Sequence, residues 1–277
     1  MQYSKQHQSR RKFPLIDLKR TTLESQEIGR QTAPSSRSKD LENQISDAVD
    51  EKIVENNKKI PKRNYIGASS IGEECSRKIQ YRFMNYPSDP EREFTAKTLR
   101  IFQFGHEIED YAAKWLRDAE FDLKTEDKSG KQFGFAIAED QIKGHIDGVI
   151  LSGPVPIGYP ALWENKSAND RKFKEFVKHG VAKTNKVYAT QIALYQAYMD
   201  LTENDCLFTV VNKNTSEVYY ELVPFDKKLA QEASDKAVDI LTSIKANDIL
   251  PRIAQSRDFF LCKFCEYQDS CWGEEPK

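Results

Sequence analysis

The apolar positions from residue 41 onward recur with helical spacing. Leu41, Ile45, Ala48, Val49, Ile53 and Val54 follow a helix of about 18 residues that Pro61 closes. A run of small residues follows from Ile66 to Cys75, and a helix then carries Ile79, Tyr81 and Phe83. Residues 96–121 form a long helical pattern, with Ile101, Phe104, Ile108, Ala112 and Trp115 on one stripe and His106 beside it. The period then shortens to two. Residues 133–138 and 142–151 are expected as two strands about a tight turn at Glu139 and Asp140, and residues 161–166 as a third after a loop with several Gly and Pro. Helices over 171–178 and 187–201, strands over 206–211 and 218–223, and a helix over about 227–246 complete the pattern. Helices before, between and after strands predict an α/β chain with one principal domain.

Composition narrows the class. A chain with 39% hydrophobic and 31% charged residues and a mean hydropathy of -0.70 reads as globular and soluble. No apolar run approaches the roughly 18 residues of a membrane span. The start Met1-Gln2-Tyr3-Ser4-Lys5 lacks an apolar signal region. A cytoplasmic, reducing location without membrane contact is therefore expected, one in which thiols persist. The net charge of -1 is unevenly spread. Residues 1–40 are rich in Lys, Arg, Ser, Gln and Thr without an apolar period, and read as a basic, disordered tail that attracts phosphate loosely or has no role. Three segments are thus expected: a tail at 1–40, a helix within 41–64, and the main domain at 65–277.

Two constellations carry chemistry. The first is Cys75, far upstream, with Cys262, Cys265 and Cys271 in a C-x2-C-x5-C run at the C-terminus. Thiolates are soft ligands for zinc or iron–sulfur clusters. One local pair, one further cysteine and one remote cysteine depart from the paired knuckles of zinc ribbons, which favours an iron–sulfur cluster over zinc. A disulfide framework is the bland alternative, but it would strand the fifth cysteine, Cys206, which reads as a core residue in the apolar run 206–211.

The second constellation sits on the expected strands. Asp147 follows Gly144-His145-Ile146, and Glu164 and Lys166, two residues apart, face one side of a strand that starts Ala-Leu-Trp. Two carboxylates and an ammonium on one surface suit metal-assisted phosphodiester hydrolysis: the acids hold Mg2+ or Mn2+, and the lysine positions or deprotonates the attacking water. A salt bridge at a sheet edge is the plainer reading. The segment after that strand, with Arg171, Lys172, Lys174 and Lys178 about Phe173 and Phe176, suits a phosphate-tracking groove, or equally a solvated basic helix face.

Five elements in order give the chain a resemblance to the iron–sulfur branch of the RecB/AddB-type nucleases of the PD-(D/E)XK superfamily, the CRISPR-associated and phage exonuclease-like group. They are Ser70-x4-Cys75-x-Arg77, the helical Gly105-His106-Glu107-Ile108-Glu109, Gly144-His145-Ile146-Asp147-Gly148, Glu164-Asn165-Lys166, and Gln191-x3-Tyr195 ahead of the three terminal cysteines. The resemblance spans residues 65–272. It implies a restriction-endonuclease-like core, a mixed sheet flanked by helices, closed by a C-terminal iron–sulfur region. It implies that His106, Asp147, Glu164 and the Asn165 carbonyl bind the divalent metal and that Lys166 serves the water. Gln191 and Tyr195 would border the site and contact nucleic acid, and Cys75, Cys262, Cys265 and Cys271 would hold a structural 4Fe-4S cluster. Glu109 and His145 rank below these, as a solvated glutamate and as an extra ligand or phosphate contact.

The expected function is a Mg2+- or Mn2+-dependent DNA exonuclease that prefers single strands, in the cytoplasm of a bacterium, an archaeon or a phage-infected host. Its partners would be DNA ends and a helicase, recombinase or CRISPR adaptation protein, because no Gly-x4-Gly-Lys-Ser/Thr loop occurs in the chain. The alternatives are a non-catalytic partner subunit and a zinc-stabilised nucleic-acid-binding module.

Overall fold

The computed structural model describes residues 36–273, so the expectation for most of the basic tail lies outside the described residues. The chain divides into two units, Met1–Ser46 and Asp47–Lys277. In the first, the described residues form the start of helix α1, Ser36–Lys58. The helix thus begins ahead of the expected residue 41, with a Ser38 Oγ to Glu42 Oε1 hydrogen bond of 3.1 Å in its first turns.

The second unit continues through β1 (Ile66–Gly67), α2 (Ala68–Ile71), α3 (Ser76–Phe83), α4 (Ala96–Asp118), β2 (Leu123–Lys124), β3 (Gly134–Ile137), β4 (Ile142–His145), β5 (Gly148–Ile150) and β6 (Ala161–Ala168). It ends with α5 (Asp170–Thr184), α6 (Lys186–Tyr198), β7 (Cys206–Asn212), β8 (Val218–Val223), α7 (Lys227–Lys245), α8 (Phe260–Lys263) and α9 (Gln268–Trp272). The strands form two mixed sheets, β2-β5-β6-β7-β8 and β1-β4-β3. The parallel pairs are β6 with β7 and β1 with β4. The expected mixed α/β architecture is the observed one.

Strand β6 explains the layering. Its first five residues are all buried, as a central strand covered on both faces requires. Leu162 packs with Phe208 and Val210 of β7 and with Phe173, Phe176 and Ile192 of α5 and α6. Trp163 packs with Leu207 and Val211 and with Ala112, Ala113 and Leu116 of α4. Alternation therefore puts α4 on one face and α5 and α6 on the other.

One expectation is corrected and another extended. The strand expected over 142–151 is two strands in different sheets, broken at Ile146 and Asp147. The register sets Gly148 opposite Trp163, which would leave the Asn165 N–H for the Ile146 carbonyl. The Asp147 carboxylate takes that N–H instead, at 2.7 Å, and the Ile146 carbonyl accepts from Gln132 Nε2 at 3.1 Å. A side chain replaces the ladder, and the chain leaves one sheet for the other. The helix expected over 171–178 does end near there: the chain kinks at Gly180, whose φ of 72° is non-helical, and a second helical stretch, not foreseen, carries α5 on to Thr184. Its N-cap Asn169 and that of α6, Asn185, both accept main-chain N–H bonds.

Helix α2 packs on α6, and Gly72 just beyond α2 sets their approach: a Cβ there would stand 2.7 Å from Val187 Cα and 3.0 Å from Thr190 Cβ. Gly72→Ala should therefore destabilise the protein by about 1–3 kcal/mol, read as a lower midpoint in urea unfolding. An unchanged midpoint would show that α6 gives way freely.

Candidate active site

The break between β4 and β5 opens into a cavity of about 450 Å3. From α4 come His106, Glu109 and Asp110; from the break, Asp147; from β6, Lys166; from α6, Gln191 and Tyr195. Six of the residues singled out from the sequence thus meet in space: His106, Asp147, Glu164, Lys166, Gln191 and Tyr195. Glu164 is fully buried at 0% exposure beneath them. Its Oε1 accepts from Lys166 Nζ and from Gln191 Nε2 at 2.7 Å. Gln191 Nε2 also reaches the Tyr195 hydroxyl, at 3.1 Å. Gln191 and Tyr195 are one helical turn apart, which sets them on one face of α6. Asn165 joins through its backbone N–H to Asp147, while its side chain turns to the other face and accepts from Thr209 Oγ1 at 2.8 Å.

The electrostatics are those of acids short of a cation. Burial, then the charge of Asp147, pushes the Glu164 carboxyl up to about 8. Burial also raises Asp147, with Lys166, the Asn165 N–H and His106 pulling the other way. Glu109, read from the sequence as a solvated glutamate, lies in the cavity, where burial and Asp147 push it up to about 7. Burial alone would lower Lys166, but Glu164 and Asp147 outweigh it and hold the ammonium charged above the ordinary lysine range. Glu164 Oε2 is buried with no hydrogen-bond partner among the described residues. A buried, unpaired carboxylate oxygen is costly, and a divalent cation is the partner that two crowded carboxylates suit.

The four cysteines also meet. Cys75, Cys262, Cys265 and Cys271 line one cavity of about 190 Å3 with Arg77, Lys78, Tyr81 and Trp272, and all are free thiols. Burial raises the thiols of Cys262 and Cys265. Cys265 Sγ accepts from the Tyr267 N–H at 3.4 Å, and Cys271 Sγ from Arg77 Nη1 at 3.7 Å. Such donors suit thiolate charge. The fifth cysteine, Cys206, is buried in the core at 0% exposure. Among the described residues, no group of three or more His, Cys, Asp or Glu side chains is set to hold a metal ion.

The basic segment stands apart. Lys172 pairs with Glu175 at 2.9 Å, Lys174 with Asp170 at 2.8 Å, and Arg171 lies 4.0 Å from Glu175. None of these, nor Lys178, lines the cavity. Besides Lys166, the lysine and arginine side chains that do line it are Arg63 and Lys143, with the His145 ring beside them; no local motif marks Arg63 or Lys143.

No family model and no curated protein matches the chain. Solved structures similar to it include SSO0001, 15% identical with a TM-score of 0.47 over 82% of this chain and 96% of that one. An alkaline exonuclease, LHK-Exo from Laribacter hongkongensis, is 16% identical with a TM-score of 0.45 over 67% of this chain and 90% of its own. LHK-Exo in complex with dAMP is 15% identical with a TM-score of 0.44 over 66% and 89%. No helix among the described residues is long and apolar enough to cross a membrane.

The buried acids carry a stability signature. Between the ordinary glutamate value of 4.5 and about 8, the folded protein keeps a proton on Glu164 that the unfolded chain has released. Raising the pH through that window therefore costs stability in the cation-free protein. Glu164→Gln removes that cost. With each kcal/mol worth roughly 2–4 °C in a chain of this size, Tm should rise by several degrees at pH 8 and by little at pH 5. An equal or lower Tm at pH 8, by calorimetry in EDTA, would contradict the electrostatic account.

Proposed function

We propose that this chain is a Mg2+- or Mn2+-dependent nuclease that hydrolyses DNA phosphodiester bonds, as an exonuclease preferring single strands, and that its cysteines hold a structural iron–sulfur cluster. The observation that carries the reading is the convergence of His106, Glu109, Asp147, Glu164 and Lys166 from three elements about a buried carboxylate oxygen that lacks a partner. Asp147, Glu164, His106 and the Asn165 carbonyl are the groups that would hold the divalent cation, which when bound supplies polarisation of the phosphodiester and a lower pKa for water.

The chain's own residues then divide the work. Gln191, itself held by Tyr195, fixes the rotamer of Glu164 so that one oxygen is committed and the other is left open. Lys166 presents a charged donor beside that carboxylate. In this charge state it orients water or neutralises a phosphate oxygen, and it can accept a proton only once the carboxylate charge that holds its pKa up is satisfied elsewhere. Glu109, close to Asp147 and with its carboxyl near neutrality, is placed to pass a proton. A cavity of about 450 Å3 has room for a short piece of a single strand, in keeping with the proposed strand preference. The partners stay as the resemblance implies: DNA ends, with unwinding or recombination supplied by another protein.

The four cysteines line one cavity with Arg77 and Lys78, whose charges would offset that of a cluster held by four thiolates. Holding Cys75 to Cys262, Cys265 and Cys271 would clamp α3 to the C-terminal run. Zinc is the competing occupant, with a binding module as its functional counterpart.

Lys166→Ala should lower Mn2+-dependent loss of end-labelled single-stranded DNA by at least about 100-fold while circular dichroism stays that of the parent. Wild-type protein that leaves every strand intact in Mn2+, or a variant of full activity, would overturn the nuclease reading. Anaerobically purified protein should contain iron and sulfide, and Cys265→Ala should lose both and melt earlier. Zinc alone, without cleavage, would favour the binding module.

A further inference from the structure

The cavity that holds Asp147 and Lys166 also has a basic side. It is built from the small sheet. Strand β1 pairs parallel with β4, and Gly67 sits opposite Lys143, so Tyr65, Gly67, Lys143 and His145 share a face by alternation. The Arg63 guanidinium and the Lys143 ammonium both lie over the Tyr65 ring, 5.8 and 5.5 Å from its centroid. Burial, then the charges of Arg63, Lys131 and Lys143, push the His145 imidazole below its ordinary value. Lys143 is held loosely, 3.7 Å from the exposed Asp140, an acid outside the cavity lining.

Mutual repulsion should scatter cations gathered this way, unless an anion joins them. The Tyr65 ring offsets part of that cost through cation–π attraction, worth about 0.5–1 kcal/mol per cation at exposed sites. It also fixes where the two charges stand. The acids of the same cavity are Glu109 and Asp110 from α4, Asp147 from the strand break and Glu126 just after β2. A polyanion entering among those acids alone would be repelled, so the small sheet supplies what a phosphate-bearing strand needs to enter.

We propose that Arg63 and Lys143, positioned by Tyr65, bind backbone phosphates of the substrate strand and so set which phosphodiester lies against Asp147 and Lys166. This rests on the nuclease reading of the site. The guanidinium offers a bidentate fork to a phosphate and the ammonium a point charge. Such contacts fix register without reading sequence. They put phosphate recognition on the small sheet, not on α5, where Lys172 and Lys174 are paired with acids of their own helix.

The test is fluorescence anisotropy with a labelled oligothymidylate in EDTA, across a series of NaCl concentrations, on the full chain. Loss of two phosphate contacts from a single strand should flatten the slope of log Kd against log salt by about 1.4. Arg63→Gln/Lys143→Gln should show that change and bind at least about tenfold more weakly at low salt. Arg63 is exposed, so Arg63→Gln alone, with a slope change of about 0.7, reports on the proposal even if loss of Lys143 disturbs β4. Arg63→Lys should keep the wild-type slope but bind more weakly, Tyr65→Phe should stay near wild type, and Tyr65→Leu should follow Arg63→Gln. A double variant with the wild-type slope and affinity overturns the proposal, as does a wild-type chain that binds no oligonucleotide. Binding here needs no cleavage: a chain that binds as stated but never cuts DNA sinks the nuclease reading alone, and one that cuts while the double variant binds like wild type sinks this proposal alone.

Discussion

Two carboxylates, Asp147 and Glu164, are buried close together with one ammonium to neutralise them, and much of the second unit is arranged around that imbalance. A buried charge must be paired or must change its protonation state. Here Lys166 answers Oε1 of Glu164, a main-chain N–H answers Asp147, and Oε2 of Glu164 is left over. The break between β4 and β5, the burial of the middle of β6 and the commitment of Gln191 all go with holding Glu164 buried and Asp147 at the wall of the cavity. Such a site is kept at a cost to stability, which is the usual mark of function rather than of packing.

The other constraint is the closure of the chain ends. Gln80 on α3 donates to the Asp248 carbonyl at 2.6 Å and accepts from the Leu250 N–H at 2.9 Å. Arg82 meets Glu266 at 2.7 Å. Asp89 accepts from the N–H groups of Asp269 and Ser270, at 2.7 and 3.2 Å. These buried or half-buried bonds, each worth on the order of 1 kcal/mol or more when charged, carry the C-terminal segment back to residues 75–92. The cysteines converge because this polar lattice aligns the two segments.

Much of this was legible in the chain because it rests on short-range periodicity. Glu164 and Lys166 face one side because a strand alternates, and Gln191 and Tyr195 because a helix turns every 3.6 residues. Cysteine spacing likewise announced a shared site across a long sequence separation. What was missed depends on pairing between distant segments. Arg63, Tyr65 and Lys143 form no local motif and meet only because β1 runs parallel to β4. The split of 142–151 hinges on one carboxylate displacing a ladder bond, which an alternating apolar pattern does not reveal. The cations of α5 meet Glu175 and Asp170 of their own helix, pairings that a cluster of basic residues with interleaved phenylalanines does not announce.

The most direct test of the central claim is anomalous diffraction at the manganese edge from crystals of the full chain soaked in Mn2+. The account predicts a peak within coordinating distance of an Asp147 carboxylate oxygen and Glu164 Oε2. Ordered manganese elsewhere with none at these two carboxylates, and Glu164 Oε2 satisfied by a protein donor, would contradict it.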